Sequence, residues 1–306
     1  MVDHDVEKVC AVVVTYCPDV EVLRALINAV SGQVGIVLIV DNTGRDESSF
    51  PDVSPQKGRV HVLAQAHNIG LAAAQNTGIE WARTHDFRHV LLMDQDSTPS
   101  DDMVPVLLKA LDNLRAEQRV AAVGPAFHDL REDRVAAFVC VGHLLNRKLW
   151  CEYDHQLIAC DFLISSGTLI PLDVIDAVGV MNSELFIDNV DLEWSFRVRA
   201  MGYTLYGVCA ASMHHRLGDA RRRLPFGLGQ MVVHGPTRLY FMMRNRIRLY
   251  GMRHVPRAWV MQDLPRLVGK LVLLGVITGP RLRNLRYMFR GMADGLRGRG
   301  GACPLT

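Results

Sequence analysis

Val9-Cys10-Ala11-Val12-Val13-Val14-Thr15 runs directly into Tyr16-Cys17-Pro18-Asp19, and the reading of this stretch decides the fold. A β-branched apolar run of this kind is a strand buried on both faces, as in the interior of a parallel sheet. The turn after it holds no glycine, so it is not the G-x-G-x-x-G fingerprint. A dinucleotide pyrophosphate would find no close backbone approach there, which counts against a nicotinamide-dependent enzyme. Outward from this strand the pattern repeats. Pro18 opens a helix with Leu23, Leu26, Ile27 and Val30 at helical spacing. Strands are expected at residues 36–40, 60–64, 90–93 and 120–123, the last ended by Gly124-Pro125. Residues 48–58 read as a loop, residues 71–83 as a helix, and Thr98-Pro99 as the opening of a helix running to about Arg115.

Strands alternating with helices, each apolar enough to be covered on both sides, predict a doubly wound, mainly parallel α/β sheet. Residues 135–175 are richer in strands and loops and suit an antiparallel addition. From about Arg221 the chain turns helical, basic and amphipathic. The division expected is a catalytic domain over 1–220, with a nucleotide-binding part at about 1–125 and an acceptor part at about 126–220. A basic helical region follows over 221–306.

Hydrophobic residues make up 49% and charged residues 22% of the chain, which excludes wholesale disorder. The net charge of +2 conceals an asymmetry. Residues 1–213 carry 16 Lys and Arg against 29 Asp and Glu, whereas residues 214–306 carry 18 against 3. So basic a C-terminal third suggests an anionic partner. The seven cysteines form no CxxC pair, their number is odd, and the acidic N-terminus has no signal-peptide pattern. A reduced, cytoplasmic setting follows. No apolar run reaches the roughly 18 residues that a membrane span needs.

In open α/β sheets ligands bind beyond the carboxyl ends of the strands, and the unusual polar residues gather there. Asp94-Gln95-Asp96 follows the apolar strand at 90–93. In an extended segment residues i and i+2 point the same way, so both carboxylates address one spot and suit Mg²⁺ or Mn²⁺ bridging a diphosphate. The competing reading makes Asp96 the cap of a helix starting near Pro99. A second acidic cluster, Asp188, Asp191 and Glu193, opens a helix that ends before Gly202. Asp188 is a plausible cap there, and first-turn acids favour the helix dipole, yet three exceed what capping needs. Of the adjacent His214 and His215, at most one is a ligand, and a surface pair is the plainer reading. Small residues at 70–74 place backbone N–H groups at a helix start, where they meet phosphate or sugar oxygens or simply allow close packing.

These motifs together resemble the inverting glycosyltransferases of the GT-A fold, and among them the bacterial rhamnosyltransferases. The resemblance runs from about Val9 to about Gly300. Its carriers are Ala-Val-Val-Val-Thr-Tyr at 11–16, Val-Asp-Asn at 40–42, Asn-x-Gly-Leu-Ala-Ala-Ala-x-Asn at 68–76 and Asp-Gln-Asp at 94–96. They continue with Ser-Gly-Thr-Leu-Ile at 166–170, Phe-Ile-Asp-x-Val-Asp-Leu-Glu-Trp at 186–194 and His-x-Leu-Gly-Asp at 215–219. The resemblance implies that Thr15, Tyr16 and Asp41 hold the base, with Asn68, Asn76 and Asp94 completing the nucleotide site. It also implies that Asp94, Asp96 and His215 bind the metal. Asp191, six residues before Arg197, matches the general base, with Asp188 and Glu193 as supporting acids. Many relatives carry a Glu-Asp pair where this chain has Val190-Asp191.

The implied reaction is a single displacement with inversion, moving L-rhamnose from dTDP-rhamnose to a lipid-linked glycan or polysaccharide. The alternatives are another donor, UDP-galactofuranose or UDP-GlcNAc, or a non-catalytic nucleotide-sugar or glycan-binding module. Arg244-Asn-Arg-Ile-Arg248 and the basic-apolar stretch at 281–290 are expected to lie on the inner face of the cell membrane. Nucleic-acid binding is the reading set aside, because the Leu-Val-Gly-Lys-Leu-Val-Leu-Leu stretch at 267–274 favours lipid. Packing on the catalytic domain, or assembly into a homo-oligomer, remains the alternative.

Overall fold

The computed structural model describes residues 6–53, 58–129, 134–215, 220–223, 230–274 and 280–305. Its centre is one sheet in which β1 (Val9–Thr15) lies between β4 (His89–Asp94) and β2 (Ile36–Asp41), with β3 (Val60–Ala64) outside β2. These four strands are parallel. Alternation along β1 shows why both faces had to be apolar. Cys10 and Val12 enter the core beneath α2 (Leu71–Thr84), while Val9, Ala11 and Val13 enter the core beneath α1 (Val20–Val30) and α3 (Met103–Arg115).

Beyond β4 the sheet changes character. β11 (Thr168–Pro171) is antiparallel to β4 and joins it to β6 (Val120–Asp129). β12 (Thr204–His215) then runs parallel to β6, and β10 (Leu157–Cys160) closes the edge antiparallel to β12. The short strands β7 (Arg134–Val135), β8 (Phe138–Cys140) and β9 (Arg147–Leu149) fill the region expected to be antiparallel.

Three expectations need correction. Thr98-Pro99 does not open a helix: Ser97–Pro99 is strand β5, paired with the end of β12, and α3 starts at Met103. Gly124-Pro125 does not end β6, which continues to Asp129 because a bulged β12 pairs with it on both sides of the break. The cysteines are not all reduced, since Cys151 and Cys209 form a disulfide that ties the segment after β9 to β12. Their separation of 58 residues in sequence hid the pairing.

After α4 (Leu172–Val178) and α5 (Val190–Ala200), the chain ends in α6 (Pro236–Tyr250), α7 (Arg257–Val272) and α8 (Arg281–Leu296). Between α5 and α6, beyond β12, the strands β13 (Ala220–Arg223) and β14 (Gln230–Val233) pair antiparallel, so the helical region expected from about Arg221 opens instead at Pro236. The α6–α8 contact is close because a Cβ at Gly291 would sit 2.3 Å from the Tyr240 carbonyl oxygen. One at Gly295 would sit 2.7 Å from that of Arg244. Among the described residues no helix is long and apolar enough to cross a membrane.

Candidate active site

The strand register alone brings three predicted site residues to one edge. Thr15 pairs with Asp41 across β1 and β2, and Val14 pairs with Asp94 across β1 and β4. The carboxyl ends of three adjacent parallel strands therefore present Asp94, Thr15 with Tyr16, and Asp41 side by side. Asp41 is fully buried. Its Oδ1 accepts from Thr15 Oγ1 at 2.9 Å and Thr43 Oγ1 at 2.7 Å, and its Oδ2 accepts from Arg45 Nε at 2.8 Å. Tyr16 is exposed, and its backbone N–H and C=O are both bonded by the amide of Gln95, at 2.7 and 3.3 Å. The middle residue of Asp-Gln-Asp thus clips the loop after β1 to the loop after β4.

Asn68 accepts from Asn42 Nδ2 and from the N–H of Gly70, and Asn42 in turn accepts from the N–H of Ile69. This pair shapes the turn into α2. Gly70 holds φ +88° there, with the Phe186 ring so near that a Cβ would lie 2.6 Å from it. Asn76 sits one turn further along and spends its amide on the backbone N–H and C=O of Met181. It anchors the chain ahead of the second acidic cluster, and the other nucleotide-site residues lie on different loops.

Asp94 and Asp96 flank this edge, and Asp96 does not cap α3, whose cap position is Asp102. Ser166 Oγ accepts from the Asp94 N–H at 3.0 Å and bonds Ser97 Oγ at 2.7 Å. The β5–β12 register places the backbone of His215 opposite Ser97, next to Asp96, while the His215 side chain lies outside the described residues. No group of three or more His, Cys, Asp or Glu among the described residues forms a metal centre. The described donor set is two carboxylates. That set fits a hard divalent cation, which commonly takes one or two carboxylates and fills its remaining positions from substrate phosphates and water.

Across from this edge, the loop ahead of α5 is unusual. Phe186, Asp188 and Asn189 have φ of 65°, 65° and 61°, a left-handed region that non-glycine residues avoid. Helix α6 holds them there. Asn245 Nδ2 donates to the carbonyls of Leu185, Ile187 and Asp188 at 2.7–2.9 Å. Arg244, fully buried, donates to the carbonyls of Glu184 and Leu185, and Phe241 stacks on Phe186 with centroids 4.9 Å apart. The expectation that residues 244–248 face a membrane is therefore corrected for Arg244 and Asn245, which point inward at this loop.

The three acids differ in their partners. The cap position of α5 is Asn189, with no side-chain cap bond, so Asp188 is not the cap; it pairs with Arg238 at 3.2 Å. Glu193 is buried and bonds Arg197 with both oxygens at 3.1 and 2.9 Å, with His254 Nε2 2.9 Å away. Arg197 in turn holds the carbonyls of Val178 and Val180. Glu193 is thus tied into a packing network. Asp191 is different: it is half-buried and has no basic partner among the described residues. Burial pushes its carboxyl up to about 6, and the charges of Asp94 and Asp188 push the same way. Backbone N–H groups of Leu192 and Ser165 pull it down. The charge of Asp94 acts on Asp191, so the two acidic motifs, 97 residues apart in sequence, come near one another.

Ser165, Ser166, Gln95 and Asn245 support these loops, yet no role was expected of their side chains. Gln95, Ser166 and Asn245 stood within the motifs at 94–96, 166–170 and 244–248, but nothing local marked what each would bond.

A carboxylate held near neutral pH, opposite a pair of hard oxygen donors on a parallel-sheet edge, defines a glycosyltransferase of the GT-A type. The family model described as glycosyl transferase family 2 matches residues 10–168, and the chain belongs to that family. Over 295 residues it is 29% identical to the dTDP-rhamnosyl transferase RfbF of Shigella flexneri, covering 95% of this chain and 96% of that protein. It is also 29% identical over 297 residues to the galactofuranosyltransferase GlfT1 of Mycolicibacterium smegmatis, covering 91% and 96%. Among solved structures, GalNAc-T7 with UDP, GalNAc and Mn²⁺ superposes with a TM-score of 0.60 at 13% identity, over 94% of this chain and 56% of that one. Staphylococcus aureus TarS 1-349 superposes at 0.51 and 10% identity, over 95% and 92%. Both structural likenesses speak to fold alone.

Proposed function

We propose that the chain transfers L-rhamnose from dTDP-rhamnose, with inversion, to a hydroxyl of a lipid-linked glycan or polysaccharide. The observation that carries the mechanism is Asp191, whose carboxyl is raised to about 6 and is free of any basic partner among the described residues. A general base works best with a pKa near the working pH. Asp191 takes the proton of the acceptor hydroxyl as that oxygen attacks the anomeric carbon. Asp188 is occupied by Arg238, and its charge raises the basicity of Asp191.

On the donor side, Thr15, Tyr16 and Asp41 take the base, with Asp41 exchanging Arg45 for the N3–H of a pyrimidine. Asn68 supports the same wall through Asn42, and Asn76 acts at one remove through Met181. Asp94 and Asp96, with His215 beside them in the sheet register, would hold Mg²⁺ or Mn²⁺. The ion, when bound, supplies stabilisation of the charge that builds on the departing diphosphate.

The whole-length similarity to a dTDP-rhamnosyl transferase supports the choice of donor. The equal identity to a galactofuranosyltransferase keeps UDP-galactofuranose as the second reading. Incubating the purified protein with a panel of nucleotide sugars, and following donor consumption and metal-dependent thermal stabilisation, tests both. Stabilisation by UDP-sugars and not by dTDP-rhamnose would overturn the first.

The proposed location is the cytoplasmic face of a membrane, reached through the basic C-terminal helices. Leu282, Phe289 and Leu296 recur every seventh residue on α8 and are exposed, as are Met261, Leu264, Val268 and Val272 on α7. Arginines interleave with them, the pattern of an interfacial helix. The Cys151–Cys209 disulfide argues the other way, because such bridges are rare in reducing compartments.

A further inference from the structure

Asp191 also lines a cleft of about 980 Å³ that the donor side does not share, since none of Thr15, Asp41, Asp94 and Asp96 borders it. Helices α6 and α7 supply much of its wall, including Arg246, Arg266 and Lys270. Their charge is poorly met. Arg246 Nε lies 3.4 Å from Asp263, but its Nη1 is buried with no hydrogen-bond partner. Asp263, which acts on Arg246 and Lys270, also accepts from the Tyr250 hydroxyl at 2.8 Å. Burial pushes Lys270 down to about 8, and the Arg246 charge adds to that; Asp263 and Asp188 offset only part of it. Arg266 makes no ion pair with any described residue and is exposed.

A guanidinium N–H without an acceptor carries a desolvation penalty, and the side chain that bears it borders the cleft. The same cleft has an apolar wall of Phe162, Trp259, Val272 and Leu273, and Val272 continues onto the exposed apolar stripe of α7. Cations and apolar surface side by side, with the base at the rim, suit a ligand that is itself amphiphilic.

We propose that Arg246, Arg266 and Lys270 form an acceptor subsite for an anionic group, a phosphate or a carboxylate, carried by the molecule whose hydroxyl Asp191 deprotonates. The apolar wall takes the lipid portion adjoining that group. The subsite selects acceptors by charge, independently of which sugar the donor brings. The inference rests on the reading of Asp191 as the base only for the word acceptor; the anion site itself does not.

The test uses the full chain with its donor side first saturated with dTDP and Mg²⁺, a step whose affinity is recorded. Geranyl phosphate, glucuronate and the neutral control geraniol are then titrated by calorimetry against wild type, Arg266→Gln and Lys270→Gln. Both substitutions lie at the cleft surface and avoid the buried Arg246, and matching melting temperatures establish that the variants are folded. Geranyl phosphate should bind, and each substitution should weaken it about ten- to hundredfold with dTDP affinity unchanged. Binding of glucuronate in its place, with the same dependence, assigns the group as a carboxylate and upholds the subsite. Geraniol binding as tightly as geranyl phosphate, affinity indifferent to both substitutions, or no anion binding at all would overturn it. Failure of dTDP to bind strikes the donor reading and leaves the anion titrations to be judged in its absence.

Discussion

Replacing Asp191 by Asn should abolish turnover and, at alkaline pH, make the protein more stable. The carboxyl is raised from 3.8 to about 6 in the folded chain, chiefly by burial and secondly by the charges of Asp94 and Asp188. Below pH 3.8 the group is protonated in both states and costs nothing. As pH rises through the interval to 6, the unfolded chain releases the proton while the folded chain keeps it, so the unfolded state is favoured progressively. Above pH 6 the penalty is complete and constant. Two pH units at about 1.36 kcal/mol each set its ceiling near ~3 kcal/mol. Asn preserves the shape and can still accept the Leu192 N–H, but it carries no charge. The variant should therefore match wild type near pH 3.5 and exceed it by up to about 3 kcal/mol at pH 8.

Urea unfolding in EDTA at the two pH values reads this difference directly, with no ion present to offset the Asp94 charge. Turnover in the presence of metal should fall about 10²–10⁴-fold, the usual loss for a general base, while donor affinity holds. If the stability difference is absent or identical at both pH values, Asp191 is not held in an unfavourable site. The account of its basicity then fails, whatever the kinetics show.

Other consequences are equally open to measurement. Asp94→Asn and Asp96→Asn should each remove turnover and weaken Mg²⁺- or Mn²⁺-dependent binding of dTDP; full activity in EDTA would refute the donor-side assignment. Asn245→Ala removes its donor from the Ile187 and Asp188 carbonyls, while Leu185 keeps Arg244, and should lower stability by about 1–3 kcal/mol and kcat more than donor affinity; an unchanged kcat would show that the loop holds itself. Replacing Leu282, Phe289 and Leu296 together by Ser should release the protein from anionic vesicles in a sedimentation assay without altering its melting temperature, because these side chains are exposed; undiminished binding would move the membrane contact elsewhere. Thiol titration of the denatured, unreduced protein should find five free cysteines of seven, and a count of seven would remove the Cys151–Cys209 bridge.

The parts of this fold legible in the sequence were those in which each residue's fate depends on near neighbours. Val9–Thr15 announces a doubly covered strand because burial on both faces leaves nothing charged in the run, whereas the extended geometry expected to align Asp94 with Asp96 stops at Asp94, with Gln95 and Asp96 in a turn. The illegible parts are contacts between distant positions. Gln95 looks like a spacer between two acids, and only the approach of the β1 loop, 79 residues away, turns its amide into a clip. Ser166 supports Asp94 across 72 residues, and Cys151 meets Cys209 across 58. Even the boundary errors have this origin. Thr98-Pro99 carries a sound local signal for a helix start, and it is overridden because β12 needs a partner strand there.

The C-terminal helices illustrate how far a compositional reading can be right about chemistry and wrong about its direction. Arg244-Asn245-Arg246-Ile247-Arg248 is basic and amphipathic, which by itself fits a surface helix. Yet three left-handed non-glycine residues at Phe186, Asp188 and Asn189 persist only where the surroundings over-determine them, at about 1–3 kcal/mol apiece. Within residues 183–189 only short turn bonds help, Phe186 N–H to Ser183 C=O and Ile187 N–H to Leu185 C=O. Arg244 and Asn245 supply further restraint, by bonding the Glu184, Leu185, Ile187 and Asp188 carbonyls from a helix some 60 residues later. One residue on, Arg246 turns toward the cleft that Asp191 borders. A single helical turn thus fixes the backbone ahead of Asp191 with one pair of side chains and lines the neighbouring cleft with the next. The charge that suggested a membrane anchor is, along this turn, part of the construction of the candidate site.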